Sequence, residues 1–157
     1  MSTLQPHGLY FEQFEPGLEI STAGRTITEA DIVNFAGISG DFNRIHTDAE
    51  YAAGTTFEQR VAHGLLVASI ASGLAVQTRF LDDTIMAFLE ISQWKFRKPV
   101  YIGDTVHVEM NVAETKALQR LGGGSVSLDL KVKNQSDETV QRGRWVMLVQ
   151  GRPEEAT

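Results

Sequence analysis

"HGLLVASIASGLAVQTRFL", residues 63–81, is the stretch whose reading decides the fold. Wound as a helix, Leu65, Leu66, Val67, Ile70, Leu74 and Val76 point in nearly every direction, so no broad polar face remains for solvent. Such a helix must be covered by other structure. Its small residues (Ala68, Ser69, Ala71, Ser72, Gly73, Ala75) would let neighbouring backbone approach closely. The apolar run over residues 64–76 is too short to span a bilayer and is interrupted by Ser69, Ser72 and Gly73.

The cover comes from the second half of the chain. "TVHVEMNV" alternates strictly, with Val106, Val108, Met110 and Val112 on one face and His107, Glu109 and Asn111 on the other. "SVSLDLKVK" does the same with Val126, Leu128, Leu130 and Val132. "IMAFLEISQWKFRKPV" and "TVQRGRWVMLVQG" are also strand-like, and a parity shift between Ile91 and Trp94 predicts a bulge. Residues 122–124 and 134–138 are expected to be hairpin turns. Helices followed by an antiparallel meander make an α+β domain, with the sheet wrapped around the central helix.

Upstream, "TITEADIVNFAGISG" offers Thr28 as N-cap with Asp31 three residues on, an apolar face of Ile32, Val33, Phe35 and Ala36, and Gly37 and Gly40 to end the helix. The same spacing at Thr47 and Glu50 predicts a second short helix, "DAEYAAG", stopped by Gly54. Between these signals lies "SGDFNRIHTDAEY", residues 39–51.

At 157 residues, without repeats or a Pro/Gly-rich linker, the chain is expected to be a single domain. A net charge of -6 argues against nucleic acid as the main partner, which relies on a positive surface. The absence of cysteine excludes disulfides, a thiolate nucleophile and thiolate metal ligands. "MSTLQPHGLYFEQFEPG" lacks the layout of a signal peptide, so a cytoplasmic protein is expected, and "GRPEEAT" is expected to fray.

Three features bear chemistry. Asp41 and His46 could hold and polarise a water, with Asn43 between them to orient either group; from spacing alone the loop reads first as a solvated turn. Gly64 opens the buried helix, where backbone N–H groups are unpaired and a carbonyl can approach, although a tolerated N-cap glycine would look the same. His63 and Ser72 read as a structural histidine and a packing residue. In "WKFRK", Lys95, Arg97 and Lys98 form a local positive patch suited to carrier phosphates or to guarding a strand edge. Asp41, His46 and His63 show no zinc-type ligand spacing, so no metal is expected, and no Gly-x-Ser-x-Gly elbow is present.

"SGDFNRIHTDAEYA" followed by "FEQRVAHGLLVASIAS", about residues 38–72, resembles the signature of MaoC-like, (R)-specific enoyl-CoA hydratases, which have the hot-dog fold; "FRKPVYIGDTV" is similar to the family's strand-turn pattern. The resemblance implies that Asp41 and His46 are the catalytic pair, with Asn43 holding them. Gly64 would polarise the thioester carbonyl and Ser72 would have a secondary role. It also implies an acyl-CoA substrate, no cofactor, and a homodimer or larger assembly. Arg44 departs from the family's proline in "DxNPxH". A hot-dog acyl-thioester hydrolase, an acyl-carrier-protein dehydratase and a non-catalytic acyl-CoA-binding subunit are the competing readings.

Overall fold

The computed structural model describes residues 8–153. The first seven residues of the N-terminal stretch, and the last four of the stretch expected to fray, therefore fall outside the described part. After a 3₁₀ turn at Phe11–Gln13, two short strands, β1 (Glu19–Ser21) and β2 (Arg25–Thr26), lead into four helices. These are α1 (Glu29–Ser39), α2 (Arg44–Thr47), α3 (Ala49–Ala53) and α4 (Gly64–Gln77). The long strands β3 (Ile85–Phe96), β4 (Thr105–Leu118), β5 (Gly123–Lys133) and β6 (Thr139–Gln150) complete the chain.

The sheet is antiparallel in the order β1-β4-β5-β6-β3, with β2 also on β4. The alternation read from the sequence is realised residue by residue. Val106, Val108, Met110 and Val112 from β4, and Val126, Leu128, Leu130 and Val132 from β5, are all buried against α4. From the helix come Leu66, Val67, Ile70, Ala71, Leu74 and Ala75. The sheet covers only one side of α4, however. Leu65 (65% exposed), Val76 (55%), Ser69 and Ser72 stand on its outer face, so an apolar helix is half-covered within one chain.

Local signals resolve in instructive ways. Thr28 and Asp31 form the expected capping box, and Gly40, at φ 75°, closes α1; Gly37 stays inside the helix. The cap of α3 is Asp48, whose side chain accepts from Tyr51 N, instead of Thr47. The predicted bulge is present as a register shift between Ser92 and Lys95, with Gln93 at φ 53°. Residues 134–138 turn as expected, with Asn134 Oδ1 accepting from Ser136 N and Glu138 N. The glycine run is corrected: the turn sits at Gln119–Leu121 with Gly122 left-handed, while Gly123 and Gly124 belong to β5. A Cβ on Gly123 would lie 2.0 Å from the Val149 carbonyl, and one on Gly124 2.3 Å from the Phe11 ring. Those two glycines serve close packing.

Candidate active site

The loop after α1 is held by its own polar residues. Asn43 N donates to Asp41 Oδ1 at 3.1 Å, and Asn43 Oδ1 caps α2 by accepting from Ile45 N at 3.2 Å. This puts His46 in a helical turn, where a plain loop was expected. Asn43 supports Asp41 through its backbone N–H, while its side-chain amide serves the cap.

A second segment grips this loop at successive residues. Arg60 Nε donates to the His46 carbonyl at 2.6 Å, and Val61 N to the Ile45 carbonyl at 3.1 Å. His46 Nδ1 meets the Val61 carbonyl at 2.7 Å, and His63 Nε2 meets the Asp41 carbonyl at 2.9 Å. Arg60 is itself tied to both carboxylate oxygens of Glu29 on α1, at 2.9 and 2.8 Å. Neither Arg60 nor Val61 carries a recognisable sequence signal for this task.

These bonds define the state of the His46 imidazole. A carbonyl only accepts, so Nδ1 of His46 carries the proton and Nε2 presents a lone pair. Nε2 lies 3.9 Å from Asp41 Oδ2. Burial chiefly, aided by His63, holds His46 below the ordinary histidine pKa, against the Val61 bond and the Asp41 charge. The two facing groups are then both acceptors. A water about 2.8 Å from each would see them at an angle of roughly 90°, close to the span of its two O–H bonds. Such a water would keep its lone pairs free.

His46, Gly64, Leu65, Phe96, Arg97 and Lys98 line a cleft of about 520 Å³, whose remaining walls are mostly apolar and include Ile45, Phe57, Val61 and Val100. The first-turn N–H groups of α4, beginning at Gly64, have no partner within the helix. The site residues expected from the sequence thus divide. Asp41, His46 and Gly64 converge at one end of α4, and Arg97 and Lys98 stand along the same cleft, Lys98 ion-paired with Glu138. Lys95 does not join them: it lies on the outer face of the sheet beside Gln93. Ser72 is two helical turns beyond Gly64, exposed, with its hydroxyl donated to the Ser69 carbonyl at 2.7 Å. Gln141, 2% exposed, lines the cleft unforeseen. A signal for it existed, since it is the polar member of the inward row of Trp145, Met147 and Val149 on β6.

A larger depression, about 710 Å³, lies on the outer sheet face. Two of its carboxylates are ion-paired, Asp129 with Arg144 at 2.7 Å and Glu109 with Lys133 at 3.0 Å, and neither Asp41 nor His46 lines it. Among the described residues, two side-chain clusters have metal-like proximity. In Asp41, His46 and His63 the two imidazoles are stacked, 3.8 Å apart and 27° from parallel, so their in-plane lone pairs do not converge on one ion. In His107, Glu109 and Asp137, the Lys133 ammonium already bridges both carboxylates at 3.0 Å.

Comparison with known proteins places the chain by sequence and by fold. The sequence profile of the MaoC like domain matches residues 12–134. Over 107 residues the chain is 43% identical to the 3-hydroxybutyryl-CoA dehydratase of Methylorubrum extorquens, covering 68% of this chain and 65% of that one. It spans 31% of another curated relative, Protein MaoC of Klebsiella aerogenes. The solved R-hydratase PhaJ1 of Pseudomonas aeruginosa superposes with TM-score 0.78 at 30% identity, covering 96% of this chain and 93% of that one. A Mycobacterium tuberculosis protein with a double hot-dog fold superposes on 96% of this chain and 46% of its own, TM-score 0.82 at 18% identity, a likeness of fold alone. An α+β hot-dog fold and a family profile spanning most of the sequence make this chain a member of the MaoC-like hydratase/dehydratase family.

Proposed function

We propose that the protein hydrates trans-2-enoyl-CoA reversibly to (R)-3-hydroxyacyl-CoA. The observation that carries this reading is the 3.9 Å approach of Asp41 Oδ2 to Nε2 of His46, a residue lining a cleft that also takes in the open first turn of α4. Water held by the pair attacks C3 as His46 Nε2 takes one of its protons. The C2–C3 π electrons move toward the thioester, and the oxygen charge is met by the Gly64 N–H and the positive end of the helix. The pair then returns a proton to C2 on the same face, so one water is added across the double bond and the thioester stays intact. Asn43 holds Asp41 in place.

Arg97, whose side chain has no ion-pair partner among the described residues, is the first choice for a CoA phosphate, with Lys98 beside it. The resemblance gave Ser72 a supporting role; its hydroxyl geometry offers that role no contact in the cleft. In this reading the 157 residues act as one catalytic unit, in the cytoplasm where CoA thioesters of fatty acid metabolism are processed. A homodimer is part of it. β3 ends the sheet with no strand on its outer side among the described residues, and Met86, Phe88, Leu89 and Ile91 are about half-exposed there. A long apolar edge of this kind is a template for pairing with a second copy.

Loss of the conjugated enoyl absorbance of crotonyl-CoA tests the reaction, and chiral analysis of the product tests its hand. Release of free thiol instead would identify a thioester hydrolase, and binding without either change a non-enzyme. Folded Asp41→Asn and His46→Asn proteins are expected to lose on the order of 100-fold or more in rate. Wild-type rates in both would sink the proposal.

A further inference from the structure

Gln141 is a fully polar side chain in the apolar wall between β6 and α4, only 2% exposed. Burying an amide there is unfavourable unless both its ends are bonded. Both are: Nε2 donates to the Gly64 carbonyl at 2.8 Å, and Oε1 accepts from Trp94 Nε1 at 3.1 Å. An indole N–H can only donate and a carbonyl can only accept, so these partners fix which way the amide points. Three elements, β3, β6 and α4, are thereby joined through one side chain.

The carbonyl it grips belongs to the first peptide of α4. That peptide is planar, so a bond to its oxygen also sets the direction of the Leu65 N–H at its other edge. Gly64 and Leu65 both line the cleft, and their N–H groups lack intrahelical partners. A donor on the oxygen of a peptide also polarises it and strengthens its N–H as a donor.

We propose that Gln141 is a positioning residue for the oxyanion site. Anchored by Trp94, it locks and polarises the first peptide of α4 so that the Gly64 and Leu65 N–H groups together face the thioester oxygen. The inference rests on the hydratase reading and adds to it a second donor and the device that aims it.

The test uses the full chain, crotonyl-CoA turnover, and the infrared carbonyl stretch of bound butyryl-CoA labelled with ¹³C at the thioester. Removing an oxyanion donor outright costs roughly 100- to 1,000-fold, so loosening one through its support is expected to cost less. In Gln141→Met we expect kcat to fall about 10-fold with KM within about twofold, and at least half of the wild-type carbonyl shift to be lost. Trp94→Phe, which removes the anchor alone, should fall between the two. Gln141→Glu supplies a pH signature: its carboxyl donates to Gly64 only when protonated, and burial raises its pKa. Its activity relative to wild type should therefore decline as pH rises, and this readout survives if the methionine variant does not fold. A folded Gln141→Met protein with wild-type kcat and carbonyl shift, or one impaired in KM alone, overturns the inference while the hydratase reading stands. Wild-type protein that neither hydrates crotonyl-CoA nor shifts the carbonyl overturns both.

Discussion

Arg60→Met is the most informative single change outside the Asp41–His46 pair. Arg60 is largely buried and spends Nε on the His46 carbonyl and Nη1 on both Glu29 oxygens. Methionine keeps much of the stem's packing and removes all three bonds. The Nε bond is charge-assisted and its acceptor lies in a buried residue, so its loss is expected to cost about 2–3 kcal/mol. The Glu29 pair contributes much less, because that carboxylate is 56% exposed and water competes for it. For a chain of this size each kcal/mol lowers Tm by about 2–4 °C, so Arg60→Met should melt roughly 4–12 °C lower and Glu29→Ala only a degree or two lower. Turnover should follow the carbonyl bond too. A catalytic group displaced by about 1 Å can lose on the order of 100-fold, so a 10-fold or greater fall in kcat is expected for Arg60→Met and little change for Glu29→Ala. Calorimetry and crotonyl-CoA hydration measure both. Equal melting shifts in the two variants would refute the idea that Arg60 acts through His46.

Three further outcomes follow from the geometry. Because burial lowers the His46 pKa below its ordinary 6.5, the unfolded chain takes up this proton at a pH where the native protein stays neutral. The stabilisation is therefore complete above about pH 6.5 and is lost as pH falls toward the depressed native value, so Tm should drop over that window in wild type and less steeply in His46→Gln. In Gly64→Ala the new Cβ would lie 2.7 Å from two atoms of the Phe96 ring, which is exposed enough to swing aside. Tm should hold or rise while kcat/KM falls at least 10-fold as the ring enters the cleft, and adding Phe96→Ala should restore part of it. Arg44→Pro should be tolerated. Asn43, at φ -53° and ψ 136°, already has the backbone of a residue before proline, and Arg44 is the first residue of α2, where proline fits. Melting and turnover close to wild type are expected; a collapse of either would show that Arg44 does more than brace the turn.

That brace explains the departure from the family motif. Arg44 is bonded to Asp48 through Nε at 3.0 Å and Nη2 at 2.8 Å, and lies 4.2 Å from the centre of the Tyr51 ring. It stiffens by contacts a turn that proline would stiffen covalently. Asp48 is pulled below the ordinary carboxylate pKa by the Tyr51 N–H first and Arg44 second, consistent with its work as a cap.

The fold was legible wherever burial has a period. The rows Val106–Val112 and Val126–Val132 alternate because one face of each strand meets α4, and the same contact makes α4 apolar. What the sequence could not carry was which side of α4 a single chain covers, since an uncovered apolar stripe and a buried one have the same composition. The triple glycine misled for a related reason: room for a neighbour's backbone and a left-handed turn both call for the absence of a Cβ. In the site, Asp41, His46 and Gly64 were singled out as candidates, but spacing alone favoured a solvated turn and it was the resemblance that assigned them roles. His63 was read as a structural histidine, and its ring bonds the Asp41 carbonyl; Arg60 and Val61 were not legible, because their bonds to the loop involve backbone carbonyls, which leave no mark on residue identity.

The grip of residues 60–63 on the loop that carries Asp41 and His46 limits how the site can vary. Those residues hold Asp41, Ile45 and His46 and run directly into Gly64, so the Asp41–His46 pair and the helix end are registered by one short segment. Residues 54–59 take no part in that registration, and Phe57 among them lines the cleft. Lengthening a loop whose two ends are already fixed costs little closure entropy. Insertions there can reshape the cleft wall at Phe57 while Asp41, His46 and Gly64 keep their spacing.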